Sequence, residues 1–153
     1  MCGVAGIFSQ NPVASELYDS IVHLQHRGQD AAGIMTYDER MHKEKGLGLA
    51  KEIFNKENLH LLSGNIGISH NRYPTHGGFS HGEVQPFWTS VPYGIALAHN
   101  GNLTNYRELA KEVTKEETRY LNTTSDSEVL LHLFADHLHQ NIPPQTSDAF
   151  FEL

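Results

Sequence analysis

Cysteine is nearly absent from this chain: one residue, Cys2, in 153. A single thiol excludes an internal disulfide framework, a four-cysteine zinc site and an all-cysteine iron–sulfur cluster. Long hydrophobic runs are absent too. No apolar stretch approaches the roughly 20 residues that span a bilayer, so no membrane partner is expected. No basic n-region with an apolar h-region precedes Cys2, so no secretory signal is expected. Positive charge is scarce, with 11 Lys and Arg against 18 Asp and Glu and a formal net charge of −7. That balance argues against a nucleic-acid partner, which requires a basic face. Metal-ligand spacing is missing despite 11 histidines. His70, His76 and His81 flank one loop, and His132, His137 and His139 share one helix, without HExxH or a comparable pattern. The expectations are no metal or cofactor in this chain and a reducing, cytoplasmic compartment in which a lone thiol stays free.

What is present reads as one globular domain of interleaved strands and helices. Val4–Phe8 reads as a short buried strand. From Ser15 to His26, Leu17, Ile21 and Leu24 recur at i, i+4 and i+7 with Tyr18 and Val22 beside them, the pattern of a helix with one buried face. It ends at HRGQD, where Gly28 supplies a stop. Strands are expected at Ala31–Tyr37, Lys45–Ala50, Asn65–Asn71 and Tyr93–His99, with a short helix near Glu57–Leu62. Between the last two strands, RYPTHGGFSHGEVQPF is rich in glycine and proline and lacks periodicity. Such long loops in compact domains are often functional. Thr104 or Asn105 can cap a helix whose face is Tyr106, Leu109, Ala110 and Val113. Ser125 and Glu128 match a capping box ahead of Val129, Leu130, Leu133, Phe134 and Leu138. Pro143–Pro144 ends that helix, and Ser147–Leu153 reads as the first turn of another. Strands and helices do not alternate in clean βαβ units, so a layered α+β sandwich fits better than a doubly wound sheet.

Cys2 becomes residue one once Met1 is removed, and it then carries a free amine beside its thiol. A thiol with pKa of about 8.5 is only a few per cent thiolate at neutral pH, whereas an α-amine titrates at about 7.7–8.0. The amine is thus a base matched to the thiol, the logic of N-terminal threonine nucleophiles. The competing reading is a small apolar residue that opens a strand. Gly3 leans towards function because it lets a ligand or a second backbone approach. In HNGN, His99–Asn102, the Asn100 side chain and the Gly101 N–H can supply two donors to an oxyanion, although Asn-Gly is also an ordinary turn. Arg27 and Arg72 each sit where a buried element gives way to a loop. Each can fork onto a carboxylate or simply be solvated. Asp126 opens its helix, where aspartate is favoured by the helix dipole alone. If Ser125 does the capping, Asp126 is left to bind an ammonium.

Taken in order, MCGVAGIF, LQHRGQDAAGI, NRYPTHGG, QPF, PYGIALAHNGNLTN and NTTSDSEVLL closely resemble the class II glutamine amidotransferases, within the N-terminal nucleophile hydrolases. Among these the motifs are most similar to the glutaminase domain of glutamine phosphoribosylpyrophosphate amidotransferases, from Cys2 to about Phe134. The resemblance implies a four-layer αββα sandwich. It implies Cys2 as the nucleophile with its own amine as base, and Arg27 as support beside it. Asn100 and the Gly101 N–H would form the oxyanion hole. Arg72 would hold the α-carboxylate of glutamine and Asp126 its α-ammonium. Tyr73, Pro74, Thr75, His76 and Gly77, with Gly78, would form the loop that closes over glutamine. The ammonia would pass to a phosphoribosyltransferase domain, which takes magnesium, displaces pyrophosphate and makes phosphoribosylamine in the first committed step of purine synthesis. A homo-oligomer is expected for the full-length protein.

Two departures qualify these expectations. Close relatives usually read RYPTAG where this chain reads RYPTHGG, and THG is similar to the hexosamine-forming branch. LQHRGQDAAGI and QPF favour the purine branch, so the hexosamine-forming or another class II transferase is the alternative. A catalytically dead remnant kept as a binding module is the rival of another class. The chain also stops before the late strands and the phosphoribosyltransferase domain that the resemblance leads one to expect. The expected domain is therefore 1–153, a glutaminase domain that is C-terminally truncated. A sandwich missing late strands exposes sheet edge and an apolar face, so the isolated segment is expected to be unstable or to aggregate, with little or no activity. A reversible, cooperative melt of monomeric 1–153 would contradict that.

Overall fold

The structure, a computed structural model, describes residues 1–73, 80–115 and 120–141. The expected glutamine loop at Pro74, Thr75, His76, Gly77 and Gly78 lies outside these residues. So do the readings of Pro143–Pro144 and Ser147–Leu153.

Four antiparallel strands form the first sheet: β1 (Gly3–Phe8), β2 (Ala31–Tyr37), β3 (Met41–Leu47) and β4 (Ile66–Arg72), in the order β1-β4-β2-β3. The sheet is pinned by the pairs Gly3↔Asn71 to Phe8↔Ile66 and Ala31↔Arg72 to Tyr37↔Ile66. β2 is an inner strand and is buried along nearly its whole length, as a strand covered on both faces must be. On one face lie helix α1 (Ala14–His23), the single turn α2 (Ala50–Ile53) and α3 (Lys56–His60). Val13, Leu17, Ile21, Ala32, Ile34 and Phe54 fill the core there, and Tyr18 meets Phe54 edge to face at 6.1 Å.

The other face of this sheet looks towards a two-stranded sheet, β5 (Phe87–Thr89) paired with β6 (Ile95–Leu97). Lys45 on β3 donates to the Val84 carbonyl at 2.6 Å, and Lys43 lies over the Trp88 ring, tying the two sheets together. α5 (Asp126–Asn141) packs on β5 and β6, and α4 (Tyr106–Thr114) packs on α5. Helix, sheet, sheet and helix thus form the layers of an αββα sandwich. A gap of about 390 Å³ opens between the sheets, lined by Met35, Tyr37, Ile68, Tyr93 and Ala96.

Several elements differ from the sequence reading. β1 is an edge strand, not a buried one: Phe8 is 80% exposed and Val4 is exposed as well, because among the described residues the second sheet does not cover that part of its partner. Val22 also faces solvent, and α1 ends at His23, after which Gln25–Arg27 tightens into a 3-10 turn. β3 spans 41–47, not 45–50. The hairpin closes where the Asp38 carboxylate accepts the amides of Glu39 and Arg40, so pairing starts at Tyr37↔Met41, and Ala50 is left to open α2. β6 is three residues long, shorter than Tyr93–His99. The capping box at α5 is half formed. Ser125 Oγ accepts the Ser127 amide at 3.3 Å, but the Glu128 carboxylate reaches past Ser125 to the amides of Asn122 and Thr123.

Candidate active site

Strand register brings the first pair of expected site residues together. Gly3 pairs with Asn71, so Cys2 and Arg72 are the next residues on β1 and β4 at the same end of the sheet. The chain turns there, and the Tyr73 N–H points at Cys2 Sγ at 3.4 Å. The thiol lies 3.9 Å from the Tyr73 carbonyl oxygen. Two further side chains converge on the Cys2 main chain. Arg27 Nε donates to the Cys2 carbonyl at 3.0 Å, and Asn100 Nδ2 donates to the same oxygen at 3.1 Å. These residues are 25 and 98 positions away in sequence. Gly28 lets the chain after Arg27 pass close to β4, since a Cβ there would lie 2.6 Å from the Arg72 carbonyl.

The HNGN segment follows β6 and leaves Asn100, Gly101 and Asn102 exposed. Asp126, the first residue of α5, reaches across to it: Oδ2 accepts the Leu103 N–H at 2.8 Å. One carboxylate oxygen is therefore committed to the loop, and the full freedom expected from Ser125 capping is not realised. The remaining lone pairs of the carboxylate are enough for an ammonium. Cys2, Arg27, Arg72, Asn100, Gly101 and Asp126 thus lie around one end of the sandwich. Tyr73 is there too, while Pro74, Thr75, His76 and Gly77 lie outside the described residues.

Behind this exposed layer is a buried polar layer that sequence reasoning missed. Gln85 grips the main chain of His99 on both sides: Oε1 accepts its N–H at 2.7 Å, and Nε2 donates to its carbonyl at 3.3 Å. The same Nε2 donates to Ser127 Oγ at 3.1 Å, and His99 Nδ1 lies 3.1 Å from that hydroxyl. Ser127 Oγ in turn donates to Asp126 Oδ1 at 3.3 Å. Two glutamates shape the segment that leads into α5. Glu83 accepts the Thr124 amide and hydroxyl at 2.9 and 3.0 Å. Glu128 takes the amides and side chains of Asn122 and Thr123. Burial pushes the Glu128 carboxyl up, but these hydrogen bonds outweigh it and hold its pKa below the ordinary value. A buried glutamine in a proline-bearing loop has no periodicity to announce it. The available signals are QPF, which enters only through the resemblance, and SDSE, which reads as a capping box as well.

His70, fully buried on β4 beside Asn71 and Arg72, faces this layer. Burial pushes its imidazole down to about 4, with the nearby His99 backbone opposing and the Arg72 and His99 charges adding to the drop. Neither ring nitrogen makes a hydrogen bond of good geometry among the described residues. No group of three or more metal-ligating side chains occurs among the described residues, and none of their helices is long and apolar enough to cross a membrane.

A family described as glutamine amidotransferase domain matches residues 70–150. The amidophosphoribosyltransferase of Pseudomonas aeruginosa is 48% identical over 153 residues, covering 98% of this chain and 30% of that protein. The Escherichia coli amidophosphoribosyltransferase is 51% identical over 140 residues, covering 90% of this chain and 28% of its own length. A solved glutamine phosphoribosylpyrophosphate amidotransferase from B. subtilis, complexed with ADP and GMP, superposes with a TM-score of 0.76 at 37% identity, covering 86% of this chain and 29% of that one. The chain therefore spans under a third of the length of these relatives.

Proposed function

Because the chain belongs to the glutamine amidotransferase family, we propose that it is the glutaminase segment of an amidophosphoribosyltransferase and that Cys2 is its nucleophile. The observation that carries this reading is the convergence of Arg27 Nε and Asn100 Nδ2 on the Cys2 carbonyl. Two long-range hydrogen bonds hold the main chain of one small residue at a strand end, with its sulfur turned towards Tyr73. A cysteine that only filled space would not need its carbonyl fixed from both sides.

The chemistry starts with removal of Met1, which is 72% exposed. The freed amine of Cys2 takes the thiol proton, and the thiolate attacks the γ-carboxamide carbon of glutamine. Negative charge develops on the carboxamide oxygen. Asn100 Nδ2 carries two protons and gives one to the Cys2 carbonyl, which leaves the other for this oxyanion beside the Gly101 N–H. The Cys2 ammonium returns a proton to the leaving nitrogen, and ammonia departs. Water then attacks the γ-glutamyl thioester, the amine accepts its proton, the carbon–sulfur bond breaks, and glutamate is released with the thiol restored. Arg72 binds the α-carboxylate, and Asp126 binds the α-ammonium with the lone pairs not used by Leu103. In the full-length protein the ammonia displaces pyrophosphate from phosphoribosyl pyrophosphate to give phosphoribosylamine. A cytoplasmic, homo-oligomeric enzyme belongs to the same proposal. The hexosamine-forming alternative is not favoured, since the relatives reported above are amidophosphoribosyltransferases.

The test is made on the full-length protein. Intact mass should show loss of Met1, and the glutamine-analogue electrophile diazo-oxo-norleucine should label Cys2. Cys2→Ala should abolish glutamine-dependent turnover and leave ammonia-dependent turnover largely intact. Retained Met1 together with an unlabelled Cys2 would favour the dead remnant. Loss of both activities in Cys2→Ala would contradict a division of labour between two domains.

A further inference from the structure

We propose that Gln85, Ser127 and the ring of His99 are positioning residues that hold the Asn100–Gly101 turn in the geometry its donors need. This rests on the reading of Cys2 as a nucleophile and goes beyond it, since none of the three touches Cys2.

Asn100, Gly101 and Asn102 face solvent, and preorganised donors are worth far more to an oxyanion than mobile ones. The turn is held at its two ends. At the far end, the Asp126 carboxylate fixes the Leu103 N–H. At the near end, Gln85 fixes both polar main-chain atoms of His99, the residue directly before Asn100. Gln85 is 8% exposed and comes from the loop before β5. Its amide thus spends its acceptor and at least one donor on an inward contact that no secondary structure requires.

The hydroxyl of Ser127 orders the rest. It has one proton, which it gives to Asp126 Oδ1, and it therefore accepts from Gln85 Nε2 and from His99. With the Ser127 proton given to Asp126, His99 Nδ1 is the donor of the 3.1 Å pair with that hydroxyl. The opposite edge of that ring is packed against Gly101. A Cβ on Gly101 would fall 2.9 Å from His99 Cε1 and closer still to Nε2. The imidazole is a floor beneath Gly101, kept level by Ser127. Through Ser127, Asp126 belongs to the same network, so the group proposed to bind the ammonium and the proposed oxyanion turn share one scaffold.

The test compares Gln85→Met and Ser127→Ala with wild type in the full-length protein. Gln85→Met keeps length and removes both hydrogen-bonding ends; Ser127→Ala removes one hydroxyl. Each is expected to lower kcat for glutamine hydrolysis about 10- to 100-fold, the range of a sub-ångström misplacement of a catalytic group. The KM for glutamine is expected to stay within about threefold in Gln85→Met, where neither Arg72 nor Asp126 loses a partner, and to rise further in Ser127→Ala, which removes a donor to Asp126. Alkylation of Cys2 by iodoacetamide, which forms no oxyanion, should keep its wild-type rate. Kcat within about threefold of wild type in both variants overturns the proposal. So does an equal loss of glutamine-dependent and ammonia-dependent turnover in both, the mark of a merely structural role. If Cys2→Ala still hydrolyses glutamine, the nucleophile reading fails. If hydrolysis depends on Cys2 but not on Gln85 or Ser127, only the positioning role fails.

Discussion

Gly101→Ala is the most informative single substitution at the proposed oxyanion turn. The backbone of Gly101 is not in the left-handed region, so alanine incurs no conformational penalty there, and its cost is purely steric. The new methyl would sit 2.9 Å from His99 Cε1, whereas carbon atoms in contact prefer about 3.5–4.0 Å. Nε2 would lie closer still, so the gap to be made up is at least roughly 1 Å. The His99 ring cannot supply it cheaply, because moving the ring stretches the 3.1 Å contact to Ser127, and the main chain of His99 is clamped by Gln85. The exposed turn yields instead, carrying the Gly101 N–H and the Asn100 amide away from the oxyanion. A displacement of about 1 Å at a reacting group costs on the order of 100-fold in rate. That corresponds to about 2.7 kcal/mol of lost transition-state stabilisation. The assay is steady-state glutamate release from glutamine by the full-length protein, with ammonia-dependent turnover as the control for folding. The expected outcome is a kcat lowered about 100-fold with KM within about threefold. The double variant with His99→Ala, which removes the floor, should lose much less than the product of the two single losses. Wild-type kcat in Gly101→Ala, or strictly multiplicative losses in the double variant, would refute the reasoning.

Asp126 and His70 provide two further tests. Asp126→Asn keeps an oxygen for the Leu103 N–H but removes the charge, so the KM for glutamine should rise at least about tenfold, the low end of a lost charged hydrogen bond. Asp126→Ala also frees the loop and should lower kcat as well; an unchanged KM in Asp126→Asn rules out the ammonium role. The folded imidazole of His70 titrates at about 4, against an ordinary value of 6.5, so between those values the unfolded chain binds more protons. Stability is thus at its full value above pH 6.5 and falls as pH drops, by up to about 1.4 kcal/mol per unit and about 3 kcal/mol in all. Urea midpoints of the full-length protein between pH 7.5 and 5 should show this slope, and the non-titrating His70→Gln should flatten it. An equal slope in both proteins would sink the assignment.

Elements with strong local signals were legible. Ala31–Tyr37 is apolar but for Thr36, and it is the strand β2 with those bounds. Ser125 before Asp126 marked the start of α5, and the spacing of Tyr106, Leu109, Ala110 and Val113 marked α4. Burial was less legible. Val4–Phe8 has the composition of an inner strand and yet lies at a sheet edge, since a strand's neighbours are set by topology and not by its own residues. The polar strand Met41–Leu47 has no alternation to reveal it and exists because the Asp38 turn sets its pairing with β2.

The residue sequence alone determined the chemical inventory: one thiol behind Met1, an Asn-Gly turn after a strand, two arginines at loop entrances and an aspartate opening a helix. Covalent identity decides which groups can attack, donate or carry charge, and short-range spacing decides which helix or turn presents them. The tertiary fold alone decided who meets whom. It placed Arg27 and Asn100 on one carbonyl, laid His99 under Gly101, and drew Gln85 from a loop into the grip on His99. Apart from the local one between His99 and Gly101, these contacts join residues 14 to 98 positions apart, and they follow from strand register and layer packing, which no local pattern encodes.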